Sequence, residues 1–209
     1  MGLATTDSLL ASVTLMTGEN TLITSWGWAA TVLLVLSFTL DSFLGKRYAG
    51  GSSDSDGASC KILLGSMGFN LSLLYVASAF GVGVWQGTEL TSGIAGLTCI
   101  VIGLALRYGA IFTLGERFTW RVSILESHQL IRRGIYRYLR HPSYTGGLLA
   151  FIGVALAFRS WLSLLLFTLT YLPAILHRIR VEEQVLAGYF AEEFQDYRKQ
   201  TRRLIPFVY

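Results

Sequence analysis

Two polar clusters interrupt a strongly apolar chain: "ESHQLIRRGIYRYLRHPSY" at 126–144 and "HRIRVEE" at 177–183. They contain all three histidines and an adjacent pair of acids, Glu182 and Glu183. A guanidinium such as Arg178 can hold a carboxylate through two parallel N–H bonds and keeps its charge at any working pH. Plainer roles compete with such chemistry. A lone histidine such as His128 is more often a surface residue. His141 precedes Pro142, and a residue before proline avoids the helical region, so it can serve only to set an extended entry into a helix. Arginines beside a membrane anchor headgroups. Glu182 and Glu183 fit a plain role least, because acids close to anionic headgroups need basic partners or a cationic ligand.

The apolar segments must position these clusters. Of 209 residues, 52% are hydrophobic and 14% charged, well below the roughly 25% charge of a soluble domain. Runs 21–44, 62–85 and 90–114 are each long enough to cross a hydrocarbon core, which takes about 20 residues. Their only formal charges are Asp41 and Arg107, each near an end. Runs 143–158 and 161–176 are separated by Arg159 and Ser160 alone, which predicts a tight helical hairpin. Each spans only ~24 Å, short of a ~30 Å core. Flanking helix must extend them, or the hairpin sits unevenly.

Basic residues set the orientation. Lys46, Arg47 and Lys61 flank the first connection, Arg117, Arg121, Arg132, Arg133, Arg137 and Arg140 fill the third, and Arg178, Arg180, Arg198, Lys199, Arg202 and Arg203 follow the last run. The second connection, "QGTE", has none. The positive-inside rule then gives five spans, with the N-terminus outside and the C-terminus in the cytosol. Both polar clusters fall at cytosolic ends of the hairpin helices, so they should meet in space. The expectation is an all-α integral membrane protein, divided into a segment 1–89 with two spans and a core 90–209. Its membrane would be the plasma membrane in a prokaryote or the endoplasmic reticulum in a eukaryote.

Other classes are disfavoured. The net charge of +4 follows from topology and calls for no nucleic acid. Cys60 and Cys99 have neither metal-ligand spacing nor a reason to pair, so no metal site and no thiol catalysis is expected. "GVG" at 81–83 lies inside an apolar run with no strand before it, which argues against a nucleotide loop and a Rossmann site. The N-terminal twenty residues lack the basic and apolar regions of a signal peptide and are expected to stay on the chain. Their Met-Gly start matches a myristoylation pattern, but the topology puts this end away from the cytosol. "AGGSSDSDGAS" at 49–59 reads as a flexible linker without chemistry. Glycines 65, 68, 81, 83, 93, 96, 103 and 109 in the second and third runs allow close helix approach in lipid. After 176, Val185, Leu186, Tyr189, Phe190, Phe194 and Tyr197 recur at helical spacing opposite Glu182, Glu183, Glu192, Glu193 and Asp196. That pattern predicts an amphipathic cytosolic helix, lying on the membrane or against the core and running on from the last span, with a kink at Pro173.

At this point a resemblance appears. "SHQLIRRGIYRYLRHPSYTGG" followed some forty residues later by "EEQVLAGYFAEEFQDYRKQTRRLIP" resembles the isoprenylcysteine carboxyl methyltransferase family, in its short five-span form. The likeness covers about half the chain, 114–206. It implies a non-Rossmann site for S-adenosylmethionine, with S-adenosylhomocysteine as product, and a carboxylate acceptor on a prenylated cysteine or a similar lipophilic acid presented by the bilayer. Carried over by position, the cofactor residues are His128, Gln129, Leu130, Ile131, Tyr136, His141, Pro142, Ser143, Tyr144 and Glu182, with Glu183 beside them. Arg178 falls on the arginine that contacts the acceptor carboxylate, and Arg178 and Glu182 are the implied catalytic pair. Three departures stand out: "FAEEF" for the family's Phe-Gly-Glu-Glu-Tyr, Ser127 for a glycine, and Arg121 where some members have glutamine. The first two read as packing variants, and the third touches a cofactor contact. Alternatives are a phospholipid N-methyltransferase, in which Glu182 or Glu183 serves as base, an NADPH-dependent sterol or enone reductase, and a non-enzymatic membrane scaffold.

Overall fold

A computed structural model describes residues 25–47, 58–85, 89–118 and 129–205, with the side chains of 45–47 left aside. His128, Ser127 and Arg121 therefore lie outside the described residues. The chain is an all-α membrane protein. Its helices are α1 (Ser25–Arg47), α2 (Ser59–Ala79), α3 (Glu89–Leu114), α4 (Pro142–Ala157), α5 (Trp161–Leu166) and α6 (Leu172–Gln200). A π-helical segment, Phe167–Tyr171, joins α5 to α6, and short 3₁₀ turns occupy Gly115–Arg117 and Gly134–Arg137. Among the described residues, four stretches are long and apolar enough to cross a membrane, the last being the 40-residue run Trp161–Gln200, and Pro142–Ala157 is a shorter apolar helix. The first arm of the hairpin thus stays short, whereas the second is extended by the amphipathic part of α6.

The second span ends earlier than its apolar run suggests. Gly81 and Gly83 both take positive φ, 63° and 73°, conformations open to glycine at little steric cost. They turn the chain after Ala79, and the turn pairs with the hairpin tip. Trp85 N–H donates to the Arg159 carbonyl and Trp161 N–H to the Gly83 carbonyl, each at 3.0 Å. This pairing closes the end of the bundle opposite the polar clusters.

Helices α3 and α4 touch along their backbones. A Cβ on Gly96 would lie 2.6 Å from the Ala157 nitrogen, and one on Gly103 would lie 2.6 Å from the Ala150 nitrogen. Of the expected glycines, Gly96 and Gly103 make this backbone approach, Gly93 and Gly83 take the side chains of Trp26 and Leu162 against them, and Gly65, Gly68, Gly81 and Gly109 face open space. The α3–α4 pair is the spine of the bundle. Helix α1 packs on α3 and α4, whereas α2 packs on α5, the π segment and α6. Thr31 and Tyr75 hydroxyls join α1 to α2 at 2.6 Å, and beyond that point toward the polar end their facing sides line a cavity.

The bend expected at Pro173 takes the form of a change in helical register. Proline has no N–H to give, and its ring crowds the preceding turn. Leu172 N–H bonds the Phe167 carbonyl, five residues back, so the register slips just before the proline. The widened turn puts Phe167 and Tyr171 on Phe151, with ring centroids 4.9 and 4.7 Å away. It also offers the Thr170 hydroxyl to Asn70 Nδ2 at 2.7 Å.

A candidate active site at the polar end of the bundle

A cavity of about 580 Å³ opens where α1, α2, α3, α4 and α6 converge. Its polar part is lined by Gln129, Tyr136, Arg140, His141, Ser143, Tyr144, Arg178 and Glu182. Its apolar part is lined by Leu34 and Phe38 of α1, Leu63, Leu64 and Met67 of α2, and Leu104 of α3. The two clusters of the sequence do meet here, because α4 starts at the end toward which α6, the return arm of the hairpin, runs.

His141 has φ −125°, and Pro142 occupies the first turn of α4, the position where its missing N–H costs nothing. This start fixes Ser143 and Tyr144 one and two residues into the helix, facing α3 and α6. The Tyr144 hydroxyl donates to Glu182 Oε2 at 3.0 Å. Arg178, one turn earlier on α6, is buried at 3% exposure and donates from Nε to the Tyr144 oxygen at 3.3 Å. His141 Nδ1 lies 3.8 Å from Glu182 Oε2. Tyr136 is buried in the 3₁₀ turn, and its carbonyl accepts from the Tyr197 hydroxyl at 2.8 Å. Burial, followed by the charge of Glu182, pushes the Tyr136 phenol well above its ordinary pKa, so it stays protonated and able to donate.

Among the implied cofactor residues, Gln129, Leu130, Ile131, Tyr136, His141, Ser143, Tyr144 and Glu182 all line the cavity. Two do not. Pro142 is buried behind it, and Glu183 points away, bonded to Arg140 Nε at 2.9 Å and Arg203 Nη2 at 2.9 Å. Glu183 lies seven residues past the apolar part of the last helix. Burial alone would raise its pKa, but hydrogen bonds from His141, Arg203 and Arg140 outweigh that and hold it well below the usual carboxylate range.

Several residues at the site carry no motif. Ser59, at the end of the stretch expected to be a linker without chemistry, is 1% exposed and accepts a 2.8 Å bond from Arg178 Nη1. That expectation fails at Ser59, because the first turn of α2 starts there. Arg107 donates to Asp41 Oδ2 at 3.1 Å and to Ser143 Oγ at 3.0 Å, and both Asp41 and Arg107 line the cavity. The signal for this pair was present in the sequence, since charges inside apolar runs need each other. The amphipathic helix uses its apolar face on the cavity: Val185, Leu186, Phe194 and Tyr197 line it, and Tyr189 alone of the named set is 50% exposed. The face therefore packs against the core.

Ala191 corrects another expectation. It stands where the family has glycine, and its φ of 43° with ψ of −115° lies outside helical geometry. The departure is one of backbone strain, since this conformation is nearly confined to glycine.

Residues 96–188 match the model of the isoprenylcysteine carboxyl methyltransferase (ICMT) family. A probable protein-S-isoprenylcysteine O-methyltransferase of Oryza sativa subsp. indica is 34% identical over 115 residues, 54% of this chain and 60% of that protein. Protein-S-isoprenylcysteine O-methyltransferase B of Arabidopsis thaliana is 34% identical over the same length, 58% of its own chain. The chain thus spans about three-fifths of these curated relatives. The solved structure of the eukaryotic intramembrane Ras methyltransferase ICMT superposes with a TM-score of 0.54 at 26% identity, over 76% of this chain and 54% of that one. Shared motif order and shared helix arrangement converge on one likeness: residues 96–188 are similar to the isoprenylcysteine carboxyl methyltransferase family, and the helices around them are arranged as in its solved member.

Proposed function

We propose that the chain is an S-adenosylmethionine-dependent carboxyl O-methyltransferase, acting at the membrane interface on a prenylated cysteine or a similar lipophilic acid. One observation carries this reading above the others. A single cavity has a polar end built from the family motif and an apolar end between α1 and α2. A water-soluble cofactor and a lipid-borne acid can enter it from different sides. The residues present fit the cofactor: Glu182 offers a negative charge to a cationic group, Tyr136 and Tyr144 offer hydroxyls, and Leu130 and Ile131 offer apolar wall.

When bound, S-adenosylmethionine supplies an electrophilic methyl group on a sulfonium. The protein's part is to bind, orient and dry the reactants. A carboxylate of pKa about 3.5 is already ionised at neutral pH, so no general base is required. Arg178 holds the acceptor carboxylate in place while Ser59 and Tyr144 fix the guanidinium plane. Glu182 is set by the Tyr144 hydroxyl to face the cofactor side. Leu34, Phe38, Leu63, Leu64 and Met67 exclude water from the acceptor's tail, and alignment in a dry site supplies several kcal/mol of the barrier. The distribution of basic residues supports an orientation with this end in the cytosol.

The test is calorimetry of the detergent-purified protein with S-adenosylhomocysteine, followed by transfer of a radiolabelled methyl group to N-acetyl-S-farnesylcysteine. Saturable binding and labelled ester are expected. Absence of both would overturn the reading.

A further inference from the structure

Glu183 sits outside the cavity, yet it gathers three segments of chain. Its Oε1 accepts from Arg140 Nε at 2.9 Å and lies 3.4 Å from His141 Nε2. Its Oε2 accepts from Arg203 Nε at 3.1 Å and Arg203 Nη2 at 2.9 Å. Around this point residues 201–205 form a strap across the start of α4. Arg202 N–H donates to the Tyr138 carbonyl at 3.0 Å, Arg140 N–H to the Arg202 carbonyl at 2.7 Å, and His141 N–H to the Arg203 carbonyl at 3.1 Å. Arg140 Nη1 donates to the Thr201 carbonyl at 2.6 Å, and the Thr145 hydroxyl donates to the Leu204 carbonyl at 2.7 Å. None of residues 201–205 lines the cavity.

We propose that Glu183 and Arg203 form a latch that holds the strap against Arg140 and His141, making both positioning residues of the cofactor site. The inference rests on the cofactor reading above. The His141 ring stands between the two acids, with Nε2 toward Glu183 and Nδ1 toward Glu182. Glu183 therefore decides which edge of the ring meets Glu182 and the cavity. Arg140, which lines the cavity itself, is turned by the same carboxylate. Charge-assisted bonds of this kind are directional and strong when water is excluded, and the Arg140 and Glu183 side chains are 8% and 7% exposed. Arg203 is the accessible partner at 25%, so it can be changed without opening the core.

The experiment is a double-mutant cycle on S-adenosylhomocysteine affinity, using Glu183→Gln, Arg203→Gln and their combination. Arg203→Gln should weaken binding roughly tenfold, Glu183→Gln at least as much, and the double variant no more than the worse single, since neighbours in one network are non-additive. Arg203→Lys, which keeps the charge, should restore most of the affinity. A purely structural role would lower the melting temperature and leave the affinity of the folded protein unchanged. Additive effects, or an unchanged affinity in Arg203→Gln, overturn the proposal, and Arg203→Gln with Arg203→Lys decides the matter if Glu183→Gln fails to fold. Should wild type not bind S-adenosylhomocysteine at all, the cofactor reading falls. Hydrogen exchange then judges the latch alone: the Arg202 and His141 amides must lose protection in Arg203→Gln, and unchanged protection overturns it.

Discussion

Arg178 Nη1 donates to Ser59 Oγ at 2.8 Å across 119 positions of sequence. The bond ties the motif-bearing last helix to the first turn of α2, which belongs to the half of the chain without motif. Arg178 is thus aimed by a residue that no family pattern marks. Ser59→Ala should lower methyl transfer severalfold and leave S-adenosylhomocysteine affinity unchanged, because the guanidinium keeps its charge but loses part of its orientation. Arg178→Ala should cost at least about a hundredfold in kcat/KM, equivalent to about 2.7 kcal/mol, again with cofactor affinity spared. Glu182→Gln should do the reverse and weaken S-adenosylhomocysteine roughly tenfold. Calorimetry beside the methyl-transfer assay separates the three, and equal cofactor affinity in Glu182→Gln and wild type removes that residue from the site.

Asp41 and Arg107 form an ion pair inside two apolar helices, at 3.1 Å and 13% and 15% exposure. Taking away one partner strands a charge in a dry place, which costs about 3–5 kcal/mol, whereas replacing both with apolar side chains is often close to neutral. Asp41→Leu should therefore lower the melting temperature in detergent sharply. Asp41→Leu with Arg107→Met should recover most of it. If the double variant melts no higher than the single, the pair is not the source of the loss.

Ala191 holds a φ of 43° within α6. Such a conformation costs a residue with a Cβ about 1–3 kcal/mol relative to glycine. Ala191→Gly is expected to stabilise the protein by about that amount, while a glycine placed at neighbouring helical Gln184 should destabilise it by about 1 kcal/mol. Thermal melts of the two variants give the answer, and destabilisation by Ala191→Gly would contradict the strained geometry.

The Glu183 carboxyl is held below the usual range by His141, Arg203 and Arg140 against the effect of burial. A group whose folded pKa is depressed contributes stability above its unfolded value, about 4.3 for glutamate, and loses it as the pH falls toward the folded value. The melting temperature of wild type should thus fall more steeply than that of Glu183→Gln as the pH drops from 5 to about 3. Parallel curves would show that Glu183 is not so perturbed.

Much of this architecture was legible in the residue string because the bilayer is a demanding solvent. Only helices and closed barrels cross it, and unbroken apolar runs of this length form helices, so spans 21–44 and 90–114 announced themselves, and the two-residue gap at Arg159 and Ser160 implied a hairpin. The spacing of Val185, Leu186, Phe194 and Tyr197 likewise marked one helix face. Pro142 marked the start of α4, since proline suits a first turn and little else in a helix. Tertiary structure decided what each polar group meets. Ser59 looked like the end of a linker until α2 brought it to Arg178, and Glu183 looked equivalent to Glu182. A residue apart on a helix, the two point about 100° from each other, one into the cavity and the other toward Arg140 and Arg203. Local sequence sets helix length and apolar face through backbone hydrogen bonding and the cost of polar groups in lipid. The partners of Arg178, Asp41 and Glu183 depend on which helices pack together, and contacts 20 to 119 positions apart leave no period or spacing to read.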